Sequence, residues 1–245
     1  MNSIKLKDVS FTYPKGNFNV NVDSLEFEEG KLYLVLGKNG SGKTTMLKLC
    51  CGILKPDSGT VEAFDKNIST MNLGEIGEYI SYLFQEPSKQ LFATTVWDEM
   101  TFAAYFKGED EIEARDRAIM LLKKFNLYHL IKRSTYRLSR GEKQRLAIAT
   151  ILMQNIRFLI LDEPTTGLDH ANRRILYNVI KSLINEGTGV AIITHDNEVI
   201  EEFSDATFVK VEQGKISSVY QNTAKSCDQI AEDTSKEMEG LKNEI

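Results

Sequence analysis

Apolar positions along this chain follow two rhythms, and their order predicts an α/β protein. Residues 4–13 and 20–27 alternate between apolar and polar side chains, as half-exposed strands do, and predict a small antiparallel β layer. Residues 31–37 (KLYLVLG) are almost continuously apolar, the pattern of a strand buried on both faces of a parallel sheet. A helix is predicted from about Lys43 to Ile53, followed by a turn at 55–59 (KPDSG) and a strand from Thr60. Residues 79–85 (YISYLFQ) read as another buried strand, after which 95–155 carry almost only helical periodicity. Core strands resume at 157–163 (RFLILDE) and 189–196 (GVAIITHD), separated by a helix from about His170 to Ile184. A last hairpin turns at Gln213-Gly214.

This order predicts one domain over residues 1–221 with a helical subdomain inserted at about 88–155. The tail, 222–245, is acidic and sparsely apolar, and a frayed helix or disorder is expected there. Composition narrows the function classes. At 245 residues the chain can bury one large core, or a core and a smaller subdomain. A net charge of −5 speaks against nucleic acid as the main partner. The longest apolar runs, Leu32–Leu36 and Phe158–Leu161, are strand-length and far short of the roughly 20 residues of a membrane span. The stretch MNSIKLKDVSF lacks the apolar block of a secretion signal. Cys50, Cys51 and Cys227 have no metal-ligand spacing and read as reduced thiols. A cytosolic chain is expected, with any membrane role supplied through a partner.

The chemistry concentrates at strand ends. Gly37–Thr44 (GKNGSGKT) lies between the 31–36 strand and the helix near Lys43, and satisfies the phosphate-binding spacing G-x-x-x-x-G-K-[ST]. Gly37, Gly40 and Gly42 let the backbone turn N–H groups towards phosphate oxygens. Lys43 then places a point charge on the β- and γ-phosphates, and the Thr44 hydroxyl is a ligand for Mg2+. The apolar run FLIL delivers Asp162 to the carboxyl end of its strand, where ligands bind in open α/β sheets. Asp162 is the expected partner of Mg2+ through water. Glu163, expected on the other face of the strand end, is placed to orient or deprotonate an attacking water. Gln85 and His195, each at a strand end, complete the candidates: a sensor of Mg2+ and water, and a contact to the γ-phosphate. The segment 137–149 (RLSRGEKQRLAIA) adds a second anion-ready feature, because Ser139 and Glu142 form a capping box on a helix N-terminus.

Taken in order, Tyr13 in FTYP, the glycine loop, Gln85, the LSRGE stretch, LILDEP, TGLD at 166–169 and His195 resemble the ATP-binding cassette family over roughly residues 3–220. The resemblance implies a P-loop NTPase (RecA-like) core with a small antiparallel β subdomain and an inserted α-helical subdomain. It further implies an ATPase binding ATP and Mg2+, with Tyr13 stacking on adenine and Asn39, Ser41 and Thr45 joining the loop residues around the nucleotide. Thr44, Gln85 and Asp162 would hold the metal; Glu163, His195 and Gln85 would serve hydrolysis. Ser139 and Gly141 would meet the γ-phosphate held by a second subunit, with Asp169 coupling the two halves, so two chains would close around two ATP molecules. The signature departs from the usual L-S-G-G-Q at Arg140 and Glu142.

The stretch 85–102 (QEPSKQLFATTVWDEMTF) resembles the ATPases of energy-coupling factor importers, which take up vitamins and transition metal ions; Phe84, Gln85, Pro87, Gln90, Leu91, Phe92, Ala93, Thr95 and Val96 match that pattern. In that family the segment receives a helix of an integral membrane subunit. Residues of about 85–100 are then expected to contact such a partner, Asp98 and Glu99 facing a basic residue of its helix. Alternatively Leu91, Phe92, Val96 and Trp97 are core of the helical subdomain. The expected location is the cytoplasmic face of the membrane, as a peripheral subunit. A soluble cassette protein acting on nucleic acid or ribosomes is the competing class, as is the ATPase of another cassette transporter.

Overall fold

The computed structural model describes residues 3–221 except positions 15 and 17; the expected acidic tail and Cys227 lie outside the described residues. Two antiparallel strands open the chain, β1 (Ser3–Thr12) and β2 (Asn19–Glu28), followed by β3 (Leu32–Leu36) and the helix α1 (Lys43–Cys50). Strands β4 (Ser58–Ala63) and β5 (Lys66–Asn67), a short helix α2 (Leu73–Gly77) and β6 (Ile80–Leu83) come next. Three helices, α3 (Val96–Phe106), α4 (Glu111–Lys124) and α5 (Arg140–Ile151), separate β6 from β7 (Phe158–Asp162). The chain continues with α6 (His170–Asn185), β8 (Gly189–Ile193), α7 (Asn197–Glu202), β9 (Thr207–Glu212) and β10 (Lys215–Gln221).

The strands form one curled sheet ordered β5-β4-β1-β2-β10-β9-β3-β8-β7-β6. Its β9-β3-β8-β7-β6 half is parallel, and the β5-β4-β1-β2 half is antiparallel. A single parallel pairing, Lys215 with Asn21, joins the halves. Strand alternation then sorts side chains into two cores. Leu34, Leu161, Ile192 and Phe208 pack towards α3–α6, whereas Tyr33, Val35, Phe158 and Ile160 pack on α1 and the antiparallel strands.

Helix α1 stops at Cys50, short of the expected Ile53, because Gly52 takes a left-handed φ of 68° that ends the helix. The inserted helices are built locally: Asp110 caps α4 by accepting from Ile112 N and Glu113 N, and Ala114, Ala118, Leu121 and Leu122 form its buried face. The hairpin turns at Gln213-Gly214 as expected, both with positive φ.

Candidate nucleotide site

The glycine loop connects β3 to α1 at the carboxyl end of the parallel strands. Gly37, Gly40 and Gly42 have φ of 145°, 78° and 103°. A side chain at Gly37 would also place its Cβ 2.1 Å from the Val211 carbonyl, so the loop folds only with glycine there. Lys43 is almost fully buried and donates from Nζ to the carbonyls of Gly37 (2.6 Å) and Lys38 (2.9 Å). Burial pulls its pKa below the ordinary lysine value, and the Glu163 and Asp162 carboxylates hold it part of the way up. The Ser41 hydroxyl is buried without a hydrogen-bond partner. The left-handed turns at Gly40 and Gly42, with the Lys43 ammonium beside them, make a nest that suits a phosphate group.

Opposite the loop, two neighbouring carboxylates are held differently. Asp162 Oδ2 accepts from the Thr44 hydroxyl at 3.0 Å and from the Tyr82 hydroxyl at 2.7 Å. Burial, then the adjoining Asp162 carboxylate, pushes the Tyr82 phenol far above its ordinary pKa, so it remains a donor. Glu163 accepts from Gln85 Nε2 (3.3 Å) and the Thr166 hydroxyl (3.5 Å), and its Oε1 lies 3.1 Å from His195 Nδ1. The expectation that Glu163 points to the other face of the strand end is corrected. Strand β7 ends at Asp162, Glu163 takes a left-handed φ of 49°, and both carboxylates line one cleft. A left-handed glutamate is strained, and such strain collects at functional sites.

That cleft, of about 680 Å3, gathers most of the expected residues: Tyr13, Asn39, Gly40, Gly42, Lys43, Thr44, Thr45, Gln85, Asp162, Glu163 and His195. Gly37 and Ser41 line a neighbouring cavity beneath the loop. The Tyr13 ring is partly exposed, and its hydroxyl is 3.2 Å from Thr45 Oγ1. Phe18 also lines the cleft and was not anticipated; an aromatic five residues after Tyr13 was the available signal. Tyr82 was missed as well, hidden in a strand that reads as pure core. The hydroxyl, carboxylate and amide oxygens of Thr44, Asp162 and Gln85 form a hard donor set that suits Mg2+.

Ser139, Gly141 and Asp169 do not line this cleft. Ser139 caps α5 in a complete box, its N–H donating to Glu142 Oε2 (2.7 Å) and its Oγ accepting from Glu142 N (3.3 Å). A Cβ built at Gly141 would meet nothing closer than Leu168 Cδ2 at 3.5 Å, so this fold leaves room for a side chain there. Asp169 caps α6 through Asn172 N at 2.8 Å. Arg140, which replaces the signature's first glycine, lies across Gly167: a Cβ at that glycine would come within 2.9 Å of Arg140 Cδ.

Burial divides the 85–102 segment residue by residue. Val96 is core, and Leu91 and Trp97 pack partly buried against it. Phe92 is 57% exposed and forms an aromatic ladder with Phe102 and Phe106, at centroid distances of 4.8 and 6.0 Å. Glu99 does not face outward as expected. It is 2% exposed, and its Oε2 accepts from Phe92 N (2.9 Å) and Ala93 N (2.6 Å), pinning the loop that presents Phe92. Asp98 is exposed, tied to the Thr95 cap of α3 at 2.6 Å.

Residues 20–166 match the model of the ABC transporter family. This chain belongs to that family. The cassette has the family's α/β fold and is one of its ATP-binding, ATP-hydrolysing chains. An energy-coupling factor transporter ATP-binding protein of Thermotoga maritima is 40% identical over 199 residues, covering 81% of the cassette and 75% of the relative. A putative ABC transporter ATP-binding protein of Caldanaerobacter subterraneus subsp. tengcongensis is 37% identical over 222 residues; the cassette spans 89% of itself but 39% of that longer relative. The solved cbiO1 of Clostridium perfringens, described as part of an ABC transporter complex, superposes with a TM-score of 0.80 at 29% identity, covering 97% and 94% of the two chains. Cassettes of this family dimerise, one of them solved as a dimer with ADP and Pi, and they work with membrane subunits. No helix among the described residues is long and apolar enough to cross a membrane.

Proposed function

We propose that this cassette is the ATP-hydrolysing subunit of an energy-coupling factor importer for a vitamin or metal ion, closing as a dimer on two ATP molecules at the cytoplasmic face of the membrane. The observation that carries the reading is the division of labour within one chain. The glycine loop, both carboxylates, Gln85 and His195 converge on one cleft, while Ser139, Gly141 and Asp169 lie outside it. The room left beside Gly141 supports a role for that glycine beyond this chain's own packing, in letting another molecule approach the α5 N-terminus. The phosphate of an ATP held by a second copy, or by a paralogue, is the anion that fits there.

Within the cleft, Lys43 and the loop amides bind the triphosphate, and Tyr13 with Phe18 borders the base. Thr44, Asp162 and Gln85 would hold Mg2+, which when bound neutralises charge developing on the β- and γ-phosphates. Glu163 takes a proton from the attacking water; His195, bonded to the same carboxylate, fixes its direction. Closure on ATP and reopening after hydrolysis do work only through differential affinity for the closed state. The ladder Phe92–Phe102–Phe106, whose first ring sits on the loop pinned by Glu99, offers an apolar surface for a helix of the membrane subunit.

Capture of the tagged cassette from detergent-solubilised membranes tests this. Recovery of an integral membrane protein with a second cassette is the expected result. Recovery of ribosomes or nucleic acid, without any membrane protein, would overturn it.

A further inference from the structure

We propose that Tyr82 is a positioning residue for the metal-holding carboxylate, a fixed donor that together with Thr44 occupies Asp162 Oδ2 and leaves Oδ1 to the metal's water. The inference rests on the ATPase reading above. Tyr82 sits on β6 directly opposite Ile160 of β7, two residues before Asp162. It is 7% exposed, packed in the core with its ring 5.1 Å from that of Phe84. A phenylalanine would fill such a position equally well, yet the hydroxyl reaches one acceptor, Asp162 Oδ2, at 2.7 Å.

Two donors converge on that oxygen, and they differ in freedom. The Thr44 hydroxyl rotates on a residue at the cleft edge and is itself expected to turn a lone pair to the cation. The Tyr82 hydroxyl is carried by a ring locked in apolar packing. No hydrogen bond among the described residues falls on Asp162 Oδ1, so fixing Oδ2 decides which oxygen is offered. Partners one step removed from a metal orient the groups that hold it, and their loss lowers metal affinity more than it disturbs the rest of a site.

The backbone of Tyr82 is braced too. Gln90 Nε2 donates to the Tyr82 carbonyl at 2.8 Å while its Oε1 accepts from Phe84 N at 3.0 Å, so one side-chain amide clamps the strand end from the partner-side segment. Tyr82 therefore joins the metal carboxylate to the stretch that precedes Phe92.

The test measures Mn2+ binding to the ADP-loaded chain by electron paramagnetic resonance, alongside ADP affinity in EDTA. Tyr82→Phe and Tyr82→Met, two fillings without a donor, are compared with wild type. Mn2+ affinity should fall by about tenfold in both, with metal-free ADP affinity within about twofold. Unchanged Mn2+ affinity in either folded variant would overturn the proposal. So would a parallel loss of metal-free ADP binding, which would make Tyr82 a shaper of the whole cleft. A wild-type chain that binds neither ADP nor Mn2+ would remove the ATPase reading and this proposal together.

Discussion

Glu99 offers the sharpest test of how the 92–93 loop is built. Its carboxylate is 2% exposed and accepts two backbone N–H bonds on a single oxygen, Oε2, from Phe92 and Ala93. Glu99→Ala removes the only hydrogen-bond acceptor that both donors have among the described residues. Hydrogen bonds to a charged group contribute about 1.5–3 kcal/mol each, but the cost of burying the charge offsets part of this, so a net loss of about 3 kcal/mol is expected. For a chain of this size that corresponds to a fall of about 6–12 °C in melting temperature. Glu99→Gln behaves differently. An amide oxygen in the place of Oε2 accepts both bonds without a buried charge, so its melting temperature at pH 7 should stay within about 2 °C of wild type.

The pH dependence has a definite sign. Burial raises the Glu99 pKa above its ordinary 4.5, the Ala93 and Phe92 amides opposing the shift. The folded chain thus holds this proton more tightly than the unfolded chain. The stabilisation is fully present below the unfolded pKa and is lost as pH rises through the folded one. Thermal melts of the three proteins from pH 4 to 8 provide the assay; the wild type should lose ground against Glu99→Gln upwards from about 4.5. An alanine variant melting with wild type, or a glutamine variant falling as far as alanine, would refute this account of the loop.

Three further outcomes follow from the site. Glu163→Gln should retain nucleotide binding while phosphate release falls by at least about 100-fold, the usual scale for a lost general base; undiminished turnover would remove Glu163 from the chemistry. Lys43→Ala should weaken nucleotide binding by about 2 kcal/mol, roughly 30-fold in Kd by calorimetry, and normal affinity would break the phosphate assignment. Phe102→Asp with Phe106→Asp should abolish capture of the membrane partner with the melting temperature within about 2 °C of wild type, because both rings are exposed; intact capture would place the partner elsewhere.

The fold was legible where a pattern extends over a whole element. KLYLVLG and RFLILDE read as buried core strands and are so, and the strand-loop-helix frame told where Gly37–Thr44 would sit. Local boundaries followed backbone conformation, which periodicity does not carry, as at Gly52 and Glu163. Most cleft residues were legible because a motif spacing, a strand end or the family resemblance marks them, whereas Phe18 carries none of these marks. Glu99 was misread because it shares the helix start with exposed Asp98, and only the folded chain brings the Phe92 and Ala93 amides back onto it. Tyr82 was invisible for a related reason: its one polar side-chain atom meets a residue 80 positions away.

In the proposed assembly, two chains build each hydrolysis site together. The steady-state ATPase rate per molecule, followed over serial dilution, tests this most directly. The rate should fall as protein concentration drops, and Ser139→Ala with Gly141→Asp should abolish it while ADP still binds. A rate per molecule that stays constant on dilution, equal in that double variant, would mean that a single chain holds a complete site.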